Sequence, residues 1–297
     1  MAISPAESLK GFDALMPSEM ARKAEEVGIK KANLDFLSLF GLAVLAGAFI
    51  ALGAVFATIS WTTTTATPFP WGWGRVIGGI AFSLGLILIV VGGAELFTGN
   101  NLIVMAWASR KLSSWRLLRN WLIVYTGNLV GAVATALFVF MGREFQMANG
   151  AVGVTALNIG TAKVNLDFLQ AVALGVLCNA LVCLAVWLCF SARTTVDKIA
   201  AIIFPISAFV AAGFEHCVAN MYFVPLAILI KAGAPNTFWQ AVGINPTTYK
   251  HLTWTSFFLH NLLPVTLGNI IGGVCLVAVV YWLVYLRKDR TNNVPQE

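Results

Sequence analysis

Six long apolar stretches alternate with polar or Pro/Gly-rich connections along the 297-residue chain. A helix that crosses the hydrocarbon core of a bilayer needs about 20 predominantly apolar residues, and each stretch is long enough. The pattern therefore predicts an all-α polytopic membrane protein with six spanning helices in a lipid bilayer. Window hydropathy places these helices at roughly 35–60, 75–108, 115–142, 166–191, 197–231 and 254–286.

The polar segments that flank the spans define the domain organisation. Residues 1–32 are polar and contain typical start and stop signals for one short amphipathic helix. We interpret this N-terminal segment as a solvated helix beside the membrane, with a gating lid as the alternative. Its polarity does not resemble a cleavable signal peptide. The six-helix transmembrane domain is then expected at 33–288 and a C-terminal tail at 289–297.

The basic residues indicate which side of the membrane holds the chain ends. Six spans place both termini on one side, and all but 5 of the 19 Lys and Arg residues fall on that side. Because loops rich in Lys and Arg stay in the cytoplasm, we expect both termini there, in a bacterial inner membrane. The net charge of +6 does not indicate a nucleic-acid partner, because the basic residues flank the spans and form no single patch. The five exceptions are Arg75, Arg143, Lys163, Lys231 and Lys250.

Composition supports a lipid environment and argues against several other classes of protein. Hydrophobic residues make up 59% of the chain and charged residues 11%, against roughly 25% charged residues in soluble domains. All five cysteines lie inside apolar spans, as packing residues do, so we expect no disulfide and no metal site. Because no metal-ligand spacing and no nucleophile–base motif is visible, we expect no cofactor and no enzyme activity.

The two halves of the chain repeat the same motifs in the same order. Each half begins its first span with Asn-Leu-Asp-Phe-Leu, places Gly-x-Glu and an asparagine in its second, and carries Gly-Asn-x-x-Gly in its third. Because each half has an odd number of spans, the halves must cross the membrane in opposite directions. The sequence therefore predicts a 3+3 inverted repeat, the layout of many transport proteins. The matched segments are 33–37 with 165–169, 93–100 with 213–220, and 127–131 with 268–272.

Glycines and polar residues interrupt the second and fifth spans near mid-membrane. Glu95 follows a pair of glycines, and Glu215 and His216 follow Gly213. Glycine disfavours a helix by about 1 kcal/mol, and irregular backbone at this depth is tolerated only inside protein or beside a cavity. The sequence therefore predicts two broken helices around a pore, and half-helix N-termini that favour an anion. We interpret both glutamates as structural, each accepting hydrogen bonds from backbone N–H groups freed at its break.

Four segments carry a resemblance to a known family. One broken span reads Gly-Phe-Glu-His-Cys-Val-Ala-Asn-Met, a specific string, and the other reads Gly-Ala-Glu-Leu-Phe-Thr. With these segments the sequence resembles the formate/nitrite transporter family, and the formate channels within it most closely. The resemblance implies a homopentamer with one pore per protomer and an aquaporin-like arrangement that lacks the aquaporin Asn-Pro-Ala box. The four segments are 93–98, 121–131, 213–221 and 261–273.

The resemblance also implies roles for individual residues. His216 corresponds to the single protonatable residue at the pore centre, Thr98 to its hydroxyl partner, and Lys163 to the basic residue of the outer vestibule. Cys217 departs from the serine that is usual in the family. Without the resemblance, the apolar members would be interpreted as core packing. The implied polar pore-lining residues are Asn179 and Asn220, and the implied constriction residues are Leu86, Leu96, Phe97, Phe82 and Phe209.

These expectations converge on the passage of small monovalent anions. The resemblance implies passive or proton-linked permeation of formate across the inner membrane, with His216 and Thr98 at the pore centre. Unperturbed histidine titrates at about pH 6.5, so we hypothesise that His216 couples permeation to pH. A nitrite or hydrosulfide channel of the same fold stays open as an alternative. A neutral-solute pore and a membrane-embedded enzyme are competing hypotheses from other classes of protein. Flux measurements in liposomes separate these.

Overall fold

Helices make up almost all of the part of the chain that the computed structural model describes, residues 14–62 and 69–287, and no β-strand occurs there. The predicted tail at 289–297 and the first thirteen residues of the N-terminal segment lie outside these described residues. The helices are α1 (Pro17–Ala32), α2 (Phe36–Trp61), α3 (Trp71–Gly92), α4 (Val104–Ala108), α5 (Ser114–Met141), α6 (Ala151–Val164), α7 (Phe168–Ser191), α8 (Thr195–Ala212), α9 (Cys217–Gly233), α10 (Asn236–Val242) and α11 (Ser256–Tyr285).

Six of these helices are long and apolar enough to cross a membrane, which confirms the predicted number of spans: α2, α3, α5, α7, α8 and α11. The two predicted breaks are also present. After α3 the chain leaves the helix, then forms a 3₁₀ turn at Gly99–Ile103 and the short α4. After α8 it leaves the helix again and continues as α9, which bends by 106° into α10.

Both breaks begin at a glycine with a left-handed backbone. Gly93 ends α3 at φ +83° and Gly213 ends α8 at φ +77°. Residues with a Cβ rarely adopt this conformation, whereas glycine does so at little cost, and it stops the helix by turning the chain away. The position of each break is therefore encoded locally.

Close helix crossings build the two halves in the same way. Helix α5 packs on α2 as α11 packs on α7, and α3 packs on α8 between the halves. A Cβ at Gly131 of α5 would collide with the carbonyl oxygen of Val44, and one at Gly272 of α11 with that of Val176. Small residues four apart let helix backbones approach closely within a bilayer, so the Gly-Asn-x-x-Gly motifs are crossing points.

The inverted repeat includes one helix more per half than the sequence motifs suggested. The polar connection at 143–165 folds largely into α6, which leads into α7 as α1 leads into α2. Helix α1 packs against the segment that follows the first break, and α6 packs against α9, which follows the second break. Each half therefore consists of a leading helix, three spans and a broken segment that packs against the leading helix.

Candidate functional site

Two cavities lie at opposite ends of α3 and α8. The α1-side cavity, of about 300 Å³, is lined by α1, by Ile89 near the end of α3 and by Lys198 near the start of α8. The α6-side cavity, of about 260 Å³, is lined by α6, by Arg75 near the start of α3 and by Val210 near the end of α8. At 1.5 Å per residue, Lys198 and Val210 are separated by roughly 18 Å along α8. Each cavity is bordered by one of the two helix breaks.

Helix α1 forms one wall of its cavity. Its residues Lys23, Val27 and Lys31 line the space, while Met20 and Ala24 are buried against the rest of the protein. The interpretation of this segment as a solvated helix is therefore incomplete, because one face of α1 belongs to the packed structure.

The apolar residues expected at constrictions divide between the two cavities. Leu86 and Leu96 line the α1-side cavity. Phe82 and Phe209 line the α6-side cavity and meet edge to face, with 5.8 Å between ring centroids. The ring of Phe97 packs on other aromatic side chains, 4.9 Å from that of Tyr125, and Phe97 lines neither cavity.

Thr98 and His216 are brought together although they lie in different halves of the chain. Thr98 Oγ1 and His216 Nε2 are 2.9 Å apart and both side chains are buried. His216 is also the N-cap of α9, and its Nδ1 accepts a hydrogen bond from the backbone N–H of Ala219 at 3.0 Å. Because Nδ1 accepts, the neutral ring carries its proton on Nε2 and donates it to Thr98.

Each glutamate at a break forms an ion pair with a lysine of the leading helix of its own half. Lys31 Nζ lies 2.9 Å from Glu95 Oε1, and Asn100 Nδ2 donates to Glu95 Oε2 at 2.8 Å. The Nδ2 group of Asn100 also donates to Asn120, whose own Nδ2 donates to the carbonyl oxygen of Lys31. A closed polar ring thus ties the first break to α1 and α5.

The second half repeats these four contacts. Lys163 Nζ lies 2.8 Å from Glu215 Oε1, and Asn220 Nδ2 donates to Glu215 Oε2 at 2.6 Å. Asn220 Nδ2 also donates to Asn261, which donates to the carbonyl oxygen of Lys163. The side-chain partners of both glutamates are therefore lysines and amides rather than the backbone N–H groups expected at the breaks. The backbone N–H of Glu215 bonds instead to the carbonyl oxygen of Leu174.

Two asparagines that the sequence interpretation did not single out hold the broken backbone. Asn128 Oδ1 accepts from the N–H of Phe97, and its Nδ2 donates to the carbonyl oxygens of Ala43 and Glu95. Asn269 does the same at the second break, with Cys217 N–H and with the carbonyl oxygens of Gly175 and Glu215. The signal was present in the repeated Gly-Asn-x-x-Gly motif, but the motif does not reveal that its asparagine reaches another helix.

The two asparagines expected to line the pore are buried beside the cavities. Asn179 Nδ2 donates to Asn101 Oδ1 at 3.1 Å and to the carbonyl oxygen of Asn269 at 2.7 Å. Asn220 belongs to the ring around Glu215, and its Oδ1 has no hydrogen-bond partner within the described residues. Neither side chain lines one of the two cavities.

Basic residues line both cavities, and they differ in their ion pairing and burial. Lys163 lines the α6-side cavity, but its ammonium group is paired with Glu215 and its side chain is only 14% exposed. Lys23, Lys31 and Lys198 line the α1-side cavity. Burial, together with the nearby Lys198, lowers the pKa of Lys23 below its ordinary value. No group of three or more potential metal ligands occurs among the described residues.

The first half-helix is shorter than the sequence suggested. The first break is followed by a 3₁₀ turn and the five-residue α4, whereas α9 has seventeen residues. Two of the first backbone N–H groups of α9, at Cys217 and Ala219, are used by protein side chains. The helix starts that follow the two breaks therefore differ in length, and at α9 two N–H groups already have protein partners.

An inverted repeat of spans, two broken helices and a cavity on each side of a buried threonine–histidine pair define a polytopic membrane transport protein. The model of the formate/nitrite transporter family matches residues 18–283, and the chain belongs to this family. This membership confirms both the family resemblance and the expectation of a transport protein.

Two kinds of relative support the assignment. The formate channel FocA of Escherichia coli (strain K12) is 48% identical over 278 residues, which is 94% of this chain and 97% of FocA. A solved structure described as a pentameric formate channel with formate bound has 47% identity and a TM-score of 0.80, covering 85% of this chain and 98% of that one. An FNT family ion channel has 26% identity and a TM-score of 0.75, covering 90% and 98%.

Proposed function

We propose that this protein lets formate and similar small monovalent anions cross the membrane through one pore in each protomer. The observation that carries the proposal is the contact between Thr98 and His216, a buried polar pair at the edge of the α6-side cavity, which His216 lines. Leu96 and Gly99, which flank Thr98 in the chain, line the α1-side cavity. The similarity to formate channels, one of them solved with formate bound, supports formate as the substrate. Nitrite or hydrosulfide passage through the same pore is the alternative.

The apolar side chains that line the two cavities favour a small monovalent solute. An ion that passes Leu86 or Phe82 must lose much of its hydration, and the cost rises steeply with charge. Thr98 and His216 offer polar partners at the point where this cost is largest. The passage is either passive or proton-linked, with His216 coupling it to pH and Thr98 orienting the anion beside it.

The assembly and orientation follow from similarity and from charge. The relative described as a pentameric formate channel supports a homopentamer for this chain. The excess of Lys and Arg on the side of α1 supports an arrangement in the bacterial inner membrane with both termini in the cytoplasm. The α1-side cavity then opens to the cytoplasm and the α6-side cavity to the opposite compartment.

The test is flux through the purified protein in liposomes. We expect formate to pass faster than sulfate and glucose, because a divalent ion loses more hydration energy at the apolar waist and glucose is larger and neutral. Nitrite and hydrosulfide measured in the same vesicles decide between the alternatives. Equal rates for formate and sulfate would refute the proposal, and empty liposomes provide the background.

A further inference from the structure

Arg75 stands in the first turns of α3, where it lines the α6-side cavity. Its Nε donates to the carbonyl oxygen of Ala211 at 3.1 Å and its Nη2 to that of Val210 at 2.5 Å. The guanidinium carbon lies 5.0 Å from the ring centroid of Trp61. Two hydrogen bonds and one aromatic face therefore fix the planar group against the cavity wall.

These contacts leave part of the guanidinium available. The group has five N–H donors in a rigid fork, and the hydrogen bonds recorded within the described residues use Nε and Nη2 only. The acceptors are carbonyl oxygens at the C-terminal end of α8, whose partial negative charge offsets the guanidinium charge only in part. The Nη1 group remains as a donor beside the cavity.

The other charged groups of the same cavity neutralise each other. Lys163 and Glu215 form an ion pair at 2.8 Å, and Glu215 also accepts from Asn220. Together they contribute little net charge to the cavity. His216, the remaining titratable group there, has both ring nitrogens engaged, with Ala219 and Thr98. Arg75 is thus the cation that gives this cavity its net positive charge among the described lining residues.

We propose that Arg75 is a carboxylate-binding residue of the α6-side cavity, which takes small monocarboxylates from solution before they pass Phe82 and Phe209. Arginine suits this role because its planar fork matches the two oxygens of a carboxylate and it stays protonated at any physiological pH. The inference rests on the proposed function and adds to it a residue that recognises the substrate at one side only. The corresponding position in the other half of the inverted repeat is not basic. Arg75 lies twenty residues before Glu95, and the residue twenty places before Glu215 is Thr195.

The test compares Arg75→Gln with wild type in vesicles of known orientation. Initial formate flux is measured against formate concentration, with formate added to the α6 side or to the α1 side. We expect the half-saturating concentration from the α6 side to rise about fivefold at low salt, as for the loss of one partly exposed charge contact. Without a voltage or pH gradient, the ratio of maximal rate to half-saturating concentration must be equal in the two directions. The maximal rate from the α6 side should therefore rise in proportion, the values from the α1 side should stay close to wild type, and the difference should shrink at high salt.

Two further variants keep the test decisive. Arg75→Lys retains a charge and a donor for α8 but not the fork, so it should keep the salt dependence with a smaller rise. Lys250→Gln removes an exposed positive charge on the same face and outside the cavity, and it should behave as wild type. Should Arg75→Gln fail to fold, Arg75→Lys decides by whether its change is confined to the α6 side.

The results that overturn the proposal are distinct from those that overturn the function. An unchanged half-saturating concentration from the α6 side refutes carboxylate binding by Arg75. An equal and salt-independent loss from both sides also refutes it, because that result assigns Arg75 to holding the end of α8 alone. Absence of formate flux in wild type refutes the proposed function itself.

Discussion

At the scale of single residues, His216 Nδ1 has two possible roles that exclude each other: it can cap α9 or take up a proton. Its Nδ1 accepts the N–H of Ala219 and so caps α9, while its Nε2 faces Thr98. An imidazolium ring can form only if Nδ1 gives up that cap, since both nitrogens then become donors. Proton uptake by His216 is therefore linked to a local change at the start of α9, and under the proposed function a passing anion would have to stabilise it.

We predict that His216→Asn keeps a folded pore and loses the pH response. Asparagine is a favoured N-cap, so the substituted side chain can still accept from Ala219 but cannot take up a proton. Formate uptake and anion current should change between about pH 5 and 8 in wild type and stay flat in the variant. Equal profiles would show that His216 is a packing and capping residue, and that the proton-linked passage is wrong.

The sequence predicted this residue but not its surroundings. His216 could be recognised because it is an ionisable group next to Gly213 in an apolar span, which is unusual in itself. The pairing of Glu215 with Lys163 was not predictable, because 52 residues separate them and no local periodicity connects them. The orientation of the Phe97 ring was not predictable either. An aromatic residue beside a break can turn toward a pore or toward the packed interior, and here the ring packs on Tyr125.

At the scale of secondary-structure elements, the crossings of α5 on α2 and of α11 on α7 depend on backbone contact. Gly131 leaves room for the carbonyl oxygen of Val44, and Asn128 one turn earlier reaches across to Ala43. The close approach is therefore a condition for the asparagine to reach the broken backbone. A larger spacing between α2 and α5 would release the first break.

We predict that Gly131→Ala destabilises the protein and Gly41→Ala does not. A Cβ at Gly131 collides with the backbone of α2, which cannot move aside, whereas at Gly41 of α2 nothing lies within 4 Å. Alanine also favours a helix over glycine by about 1 kcal/mol, so Gly41→Ala should be neutral or slightly stabilising. The melting temperature of the detergent-solubilised protein measures both; equal shifts would contradict the backbone contact.

Helix positions were predictable at this scale because lipid imposes them. A span must be long and apolar, and this requirement appears directly in the sequence of α2, α7 and α11. The fold of the 143–165 connection was not predicted, because α6 lies against α9 and its polar residues satisfy partners far away in the chain. Local signals thus set where spans begin and end, and tertiary contacts decide what the connections do.

At the scale of the whole molecule, the two faces differ in charge. Helix α1 and the starts of α5 and α8 lie on one face, and most of the basic residues lie there too. A bilayer-inserted protein keeps such a face on the cytoplasmic side. The proposed orientation of the two cavities relative to the cell rests on this difference.

Cysteine labelling in intact cells tests the predicted orientation. Glu26→Cys on α1 and Lys250→Cys near α11 both replace exposed residues, in a background with Cys275→Ser to remove the exposed native thiol. A membrane-impermeant maleimide should label position 250 in intact cells and position 26 only after permeabilisation. The four remaining native cysteines are buried and supply the unlabelled control. The opposite pattern would invert the assignment.

The inverted repeat has an electrical consequence, because its two halves share a backbone arrangement but carry different side chains after Glu95 and Glu215. Counting from Glu95 and Glu215, Leu96 occupies the place of His216, and Thr98 occupies the place of Val218. Two identical half-chains would give a passage with the same sequence of groups in both directions. This single chain instead has a polarity. In the proposed pore, an ion driven by voltage meets Lys23, Lys31 and Lys198 with leucines first from one end, and Arg75, the paired Lys163, phenylalanines and His216 first from the other. At equilibrium the polarity produces no net flow, but under opposite voltages of equal size it lets the pore act as a rectifier.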